Sequence, residues 1–127
     1  MRQYLADKIR NIALAGHGSC GKTSLAEAIL FRAGVTDRLG KIENGTTLCD
    51  FDPEEIKRSV SVSAAIAPVE WNNTKINLID TPGAFDFATG MYEGIRAAGS
   101  VVIVVSARSG VTVGTEKAYK LAREQNK

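Results

Sequence analysis

Apolar positions along this chain change their spacing from stretch to stretch, and each spacing predicts an element. Ile9 to Ala15 ends in four consecutive apolar residues, Ile12, Ala13, Leu14 and Ala15, without strict alternation. Such a run predicts a central, parallel strand covered on both faces. From Thr23 to Ala33 the positions Ala26, Ile29, Leu30 and Ala33 recur every three or four residues, predicting an amphipathic helix with Gly34 as its left-handed cap. Residues 35–59 are polar with no sustained period and read as a loop; one so long inside a compact domain usually carries function.

Val60 to Trp71 alternates partly and Lys75 to Ile79 is a short apolar run. The Asn72-Asn73 pair between them predicts an antiparallel hairpin. A helix from about Asp86 to Ala98 puts Phe87, Met91 and Ile95 on one face at four-residue spacing. Gly90 and Gly94 weaken it, each by about 1 kcal/mol relative to alanine. Val101 to Val105 predicts a further apolar strand, and Thr115 to Gln125 a last helix with Ala118, Leu121 and Ala122 inward. The order β-loop-α-loop-β-β-α-β-α implies an α/β fold of three layers, α/β/α, with a mostly parallel sheet and one antiparallel strand.

Composition narrows the class. A chain of 127 residues forms at most one domain, and 44% apolar with 24% charged residues is ordinary for a water-soluble globular chain. The net charge of +2 is too small to argue for nucleic acid, and no stretch approaches the roughly 20 apolar residues of a membrane span. Cys20 and Cys49 offer neither a disulfide framework nor metal-ligand spacing, so two reduced thiols in a cytoplasmic protein are expected.

The chemistry concentrates at residues 16–23, GHGSCGKT, between the first strand and the first helix. Gly-x-x-x-x-Gly-Lys-Ser/Thr in that setting is a phosphate-binding loop. Backbone N–H groups of the curled loop face the phosphate oxygens, and the helix dipole points its positive end at the same anion. Gly16, His17, Gly18, Ser19, Cys20, Gly21, Lys22 and Thr23 are therefore the candidate nucleotide-binding residues. The Lys22 ammonium would meet the β- and γ-phosphates, and the Thr23 hydroxyl would ligate Mg²⁺. A second motif, LIDTPG at residues 78–83, ends a strand. Asp80 would hold Mg²⁺ from there, and Gly83 could bring its N–H to a γ-phosphate without a side chain in the way. Lys22 and Gly83 are the candidate catalytic groups.

These residues carry a resemblance to the GTP-binding domain of elongation factor G and related translational GTPases. It covers nearly the whole chain: RNIALAGHGSCGKTSLAEAIL, KIENGTTLCDFDPEEIKRSVSVSAA, INLIDTPGAFDF and VVIVVSARSGVTVGTEKA. The GTT segment also resembles ribosomal-protection proteins, and the best likeness is to the divergent elongation-factor-G-like branch. The resemblance implies a P-loop NTPase of the Ras-like G-domain type binding GTP or GDP with Mg²⁺. It adds Ser24 to the residues that would hold the phosphates, and implies switch I at about residues 36–62 and switch II at about 83–95, with the ribosome as partner of the complete protein. No membrane association and no direct sequence-specific nucleic-acid contact are implied. The family's switch I threonine, in Arg-Gly-Ile-Thr, matches Ser61 within Arg58-Ser59-Val60-Ser61, so Ser61 would be a further Mg²⁺ ligand.

Three departures stand out. Ala84 replaces the histidine that orients the attacking water, which should slow hydrolysis by about 10² to 10⁴ on the scale of general acid-base groups. Ser19 replaces an aspartate, which bears on any monovalent-cation site. Gly18 replaces a β-branched residue that would face the switch I isoleucine, here Val60, leaving half of a barrier over the γ-phosphate. His17 reads as a packing or loop-fixing residue, with catalysis as the alternative. Cys20 reads as a loop filler or a reactive thiol, Arg58 as a solvated switch charge or an arginine finger, and Trp71 as packing against the sheet. The family continues to a guanine-reading Asn-Lys-x-Asp, and this chain is expected to be a C-terminally truncated portion that stops before it. The strand at Val101 to Val105 would then form an edge, giving a marginally stable or self-associating fragment with weak nucleotide affinity. A P-loop ATPase of another branch is the remaining reading.

Overall fold

The computed structural model describes residues 3–84, 86 and 88–127. A four-stranded sheet forms its middle layer: β1 (Ile9–Ala15), β2 (Ala65–Trp71), β3 (Thr74–Asp80) and β4 (Ser100–Ile103), in the order β2-β3-β1-β4. β1 is parallel to β3 and β4, and β2 is antiparallel to β3. The sheet is thus mostly parallel with one antiparallel strand, and β4 lies at an edge.

Helices α1 (Lys22–Arg32), α2 (Pro53–Arg58), α3 (Ala88–Ala97) and α4 (Val113–Glu124) complete the fold, with single 3₁₀ turns at Ala6–Lys8 and Ile42–Asn44. The run Ile12 to Ala15 is apolar throughout because β1 is covered on both sides. Leu14 packs with Ala26 and Leu30 of α1 and with Ala67, Val69 and Leu78. Ala15 packs on the other side with Met91, Ile95 and Ala118 of α3 and α4, and Ala13 with Ile79 and Ala98. Two small alanines on that second side let α3 approach closely.

The expected hairpin is present. Asn72 and Asn73 both have positive φ, 45° and 58°, the backbone that a two-residue turn needs to match the twist of its strands. Two expectations need revision. The segment read as featureless loop contains α2, whose Asp52-Pro53-Glu54-Glu55 start is a capping box with proline in the first turn. β2 begins at Ala65 rather than Val60, because residues 60–63 turn back toward α2 and the phosphate loop. Trp71, about half exposed at the hairpin tip, lines an apolar cleft with Val69 and Ile76 of the sheet and Ile29 of α1. Phe87, expected on the inner face of α3, lies outside the described residues; Met91 and Ile95 are buried there as expected.

The glycines of α3 have a packing reason. A β-carbon at Gly94 would collide with the methyl of Thr81 and press on Ile79, and one at Gly90 would strike the Pro82 ring. Thr81 cannot yield, because it is fully buried and its hydroxyl donates to the Leu14 carbonyl at 2.7 Å. Helix propensity is given up so that α3 can seat against the segment following β3. Gly94→Ala is therefore expected to destabilise the protein by up to about 2 kcal/mol in urea denaturation, overpacking outweighing a propensity gain of about 1 kcal/mol. A net gain in stability would show that the close approach is not limiting.

Candidate nucleotide and metal site

Parallel pairing sets the site. Leu14 sits opposite Asp80 in the β1–β3 register, so both strands deliver their carboxyl ends to the same edge. From β1 the chain enters the phosphate loop and reaches α1 through Gly21, whose φ of 101° is strained for any residue with a side chain. The Lys22 side chain folds back over the loop. Its ammonium donates to the His17 carbonyl at 2.7 Å and to the Gly16 carbonyl at 3.4 Å, with the Cys20 sulfur 3.7 Å away.

Three residues far apart in sequence meet beside it. The Thr23 hydroxyl donates to Oδ2 of Asp80 at 2.6 Å. Thr23 Oγ1 also lies 3.2 Å from Oγ of Ser61, which donates to Oδ1 of Asp50 at 2.6 Å. All three expected metal-binding residues are thus joined through Thr23. Gly83 closes the end of the site: a β-carbon there would collide with the Lys22 ammonium and the backbone of His17 and Gly18. The space between them is a cavity of about 340 Å³. One wall is Gly18, Ser19, Gly21, Lys22, Thr23 and Ser24; the other is Ile42, Glu43, Asp50, Ser59, Val60 and Ser61.

Gly16, His17 and Cys20 stand behind the loop wall. A β-carbon at Gly16 would meet the Val104 carbonyl, and His17 lies against Gly114 of α4, which suits a loop-fixing part. Cys20 lines a small crevice with Ser106 and Thr112. Arg58 is exposed and ion-paired with Glu54 at 3.0 Å, as a solvated switch charge would be.

Asp80 is the electrostatic centre. It is 2% exposed, and Oδ1 is buried with no hydrogen-bond partner among the described residues. Burial pushes its carboxyl up to about 6; the Thr23 hydrogen bond opposes the shift, and the Asp50 charge adds to it. A bare, buried carboxylate oxygen beside two hydroxyls is the donor set of a hard divalent cation. Asp50 is also raised, chiefly by burial, against the pull of the Ser61 hydrogen bond.

Sequence reasoning missed three buried carboxylates, Glu27, Asp50 and Glu55. Glu27 Oε1 accepts the N–H groups of Leu48 and Cys49 at 2.6 and 3.2 Å. Glu55 accepts those of Asp52, Val62 and Ser63. Glu27 had a signal: it interrupts the apolar stripe of α1 between Ala26 and Leu30. The capping pattern could have placed Glu55, while Asp50 had none.

Known proteins share this arrangement of sequence and fold. Residues 7–127 match the elongation factor Tu GTP binding domain. The chain belongs to that family of translational GTPase domains. It is 41% identical over 112 residues to an elongation factor G-like protein of Mycobacterium tuberculosis, covering 88% of this chain and 16% of that one. It is 38% identical over 117 residues to the mitochondrial ribosome-releasing factor 2 of Debaryomyces hansenii, covering 92% and 14%. A crystal structure of a Thermus thermophilus protein superposes with a TM-score of 0.90 at 38% identity, covering 92% of this chain and 18% of that one. The chain thus spans about a sixth of the length of these relatives. Among the described residues no helix is long and apolar enough to cross a membrane.

Because folding makes Asp80 easier to protonate, its contribution to metal-free stability is present at about pH 4 and lost as pH rises to about 6. The loss is on the order of 3 kcal/mol. Asp80→Asn should keep the Thr23 hydrogen bond, remove that slope in chelator-containing buffer, and abolish any gain in nucleotide affinity from Mg²⁺. Urea denaturation at about pH 4 and about pH 7, and nucleotide titration with and without Mg²⁺, check both.

Proposed function

We propose that this chain forms the nucleotide-handling part of an elongation-factor-G-like translational GTPase, whose Mg²⁺-dependent GTP hydrolysis is coupled to action on the ribosome. The observation that carries the reading is the junction of Thr23, Ser61 and Asp80 beside the lysine-bearing loop, with one Asp80 oxygen left bare. The names of the relatives, ribosome-releasing factor 2 and elongation factor G-like protein, support the ribosome as partner.

In this reading residues 16–24 bind the phosphates, and Lys22 exchanges its carbonyl partners at His17 and Gly16 for phosphate oxygens. Gly83 offers its N–H to the γ-phosphate. Thr23, Ser61 and Asp80 would hold Mg²⁺, whose charge would offset that developing on the phosphate oxygens. Ser61 comes from the residues 36–62 read as switch I and Gly83 from the residues 83–95 read as switch II. Loss of the γ-phosphate would release both.

Ala84 favours a second reading, a nucleotide-gated ribosome-binding factor that hydrolyses GTP very slowly. No polar side chain stands at position 84 to orient a water. Gly18 deepens the opening: a β-carbon there would sit 3.7 Å from the Gly83 carbonyl, in ordinary contact, so crowding at that point does not require glycine.

Single-turnover hydrolysis by the intact protein with ribosomes tests both readings. Lys22→Ala should reduce the rate by at least about 10²-fold, the usual loss for one donor to developing charge. An unchanged rate would exclude this site. Ala84→His should raise the rate by about 10²-fold without altering GTP affinity, and no gain would remove Ala84 as the limiting feature.

A further inference from the structure

Glu27 is the most buried charged side chain on α1, 1% exposed, on the face that also carries Thr23 one turn earlier. A carboxylate there is costly unless donors meet it. Its donors come from one place, the Leu48 and Cys49 N–H groups and the Cys49 thiol, and a β-carbon at Gly40 would collide with its other oxygen. The helix that begins at the phosphate loop therefore grips the segment that leads into Asp50. Asp50 in turn receives the Ser61 hydroxyl, and Ser61 touches Thr23. The path is a closed ring: Thr23, Glu27 through α1, residues 48–50, Ser61, and back to Thr23.

We propose that Glu27 is a positioning residue for nucleotide-state discrimination, a latch that holds residues 48–50 so that Ser61 stays at the metal site. The inference rests on the functional reading above. The latch is suited to a reversible contact. With the segment engaged, the carboxylate is dry but accepts two charge-assisted N–H bonds; with it released, water solvates the same oxygens. Those terms oppose each other, so the two positions of the segment lie close in free energy and a γ-phosphate contact at Ser61 can decide between them. A leucine at position 27 would favour the packed segment on apolar grounds alone and offer the N–H groups nothing. Among the described residues Glu27 makes no hydrogen bond to the phosphate loop, so its hold on the segment reaches the nucleotide through Asp50 and Ser61; its charge also bears directly on Asp80 and Asp50, an effect that Gln removes while keeping the acceptor.

The test uses the intact protein with Mg²⁺ and compares Glu27→Ala, Glu27→Asp and Glu27→Gln. Ala and Asp, the latter keeping charge but falling one methylene short, should lower affinity for a non-hydrolysable GTP analogue about tenfold. GDP affinity should stay within about twofold, and the Leu48 and Cys49 amides should exchange hydrogen faster even without nucleotide. Gln keeps an acceptor at the same reach and should stay close to the unsubstituted protein. If GTP and GDP affinities fall together, or if Ala and Asp leave their ratio unchanged, the latch is overturned. If Ala does not fold, Asp and Gln alone still decide, because Asp keeps the charge without the reach and Gln keeps the reach without the charge. Failure of the unsubstituted protein to bind either nucleotide would overturn the functional reading instead.

Discussion

One carboxylate oxygen without a donor organises this molecule. Asp80 is delivered to the sheet edge by an apolar strand, buried to 2% exposure, and bonded on one oxygen only. In a dry environment an unpaired charge is costly, and burial lifts the Asp80 carboxyl toward the neutral form. Local stability would favour replacing it. Its presence beside Lys22, Thr23 and Ser61 makes sense for a site completed by a cation and an anion together, each offsetting what the other leaves uncompensated. Such a protein keeps strain at the site and compensates with packing below it.

That packing is arranged by residue size. The alanines of β1 and the glycines of α3 let the helix lie close to the segment after β3, so Thr81 and Pro82 are clamped just before Gly83. Gly83 itself has no room for a side chain beneath the Lys22 ammonium. The close approach that the nucleotide would exploit is thus a continuation of core packing.

The residues between α1 and β2 are held differently. They bury little apolar surface; Leu48, Phe51 and Ile56 are exposed. What holds them is hydrogen bonding of backbone N–H groups to Glu27 and Glu55 and of Ser61 to Asp50. Ordered but weakly packed backbone sits at the low-stability end of a fold, where functional rearrangements occur.

Much of this was legible in the linear chain. Element type followed from periodicity because Ile12 to Ala15 and the stripe of α1 each report a local geometry, period by period. The phosphate loop and LIDTPG were legible because glycine, lysine and threonine at fixed spacing encode a backbone shape and its charges within a few residues. The start of α2 was written in Asp52-Pro53-Glu54-Glu55 and was overlooked for lack of an apolar period, since α2 buries only Glu55. The contacts of Glu27, Asp50 and Ser61 were beyond local reading: their partners lie 21, 11 and 38 residues away. The sequence by itself determined which elements form and where the candidate phosphate-loop motif falls, because those depend on neighbours along the chain. Tertiary structure alone decided which carboxylates are buried, which oxygen stays bare and which segment a helix grips. Desolvation and pairing belong to the surroundings that folding assembles, and no residue carries them alone.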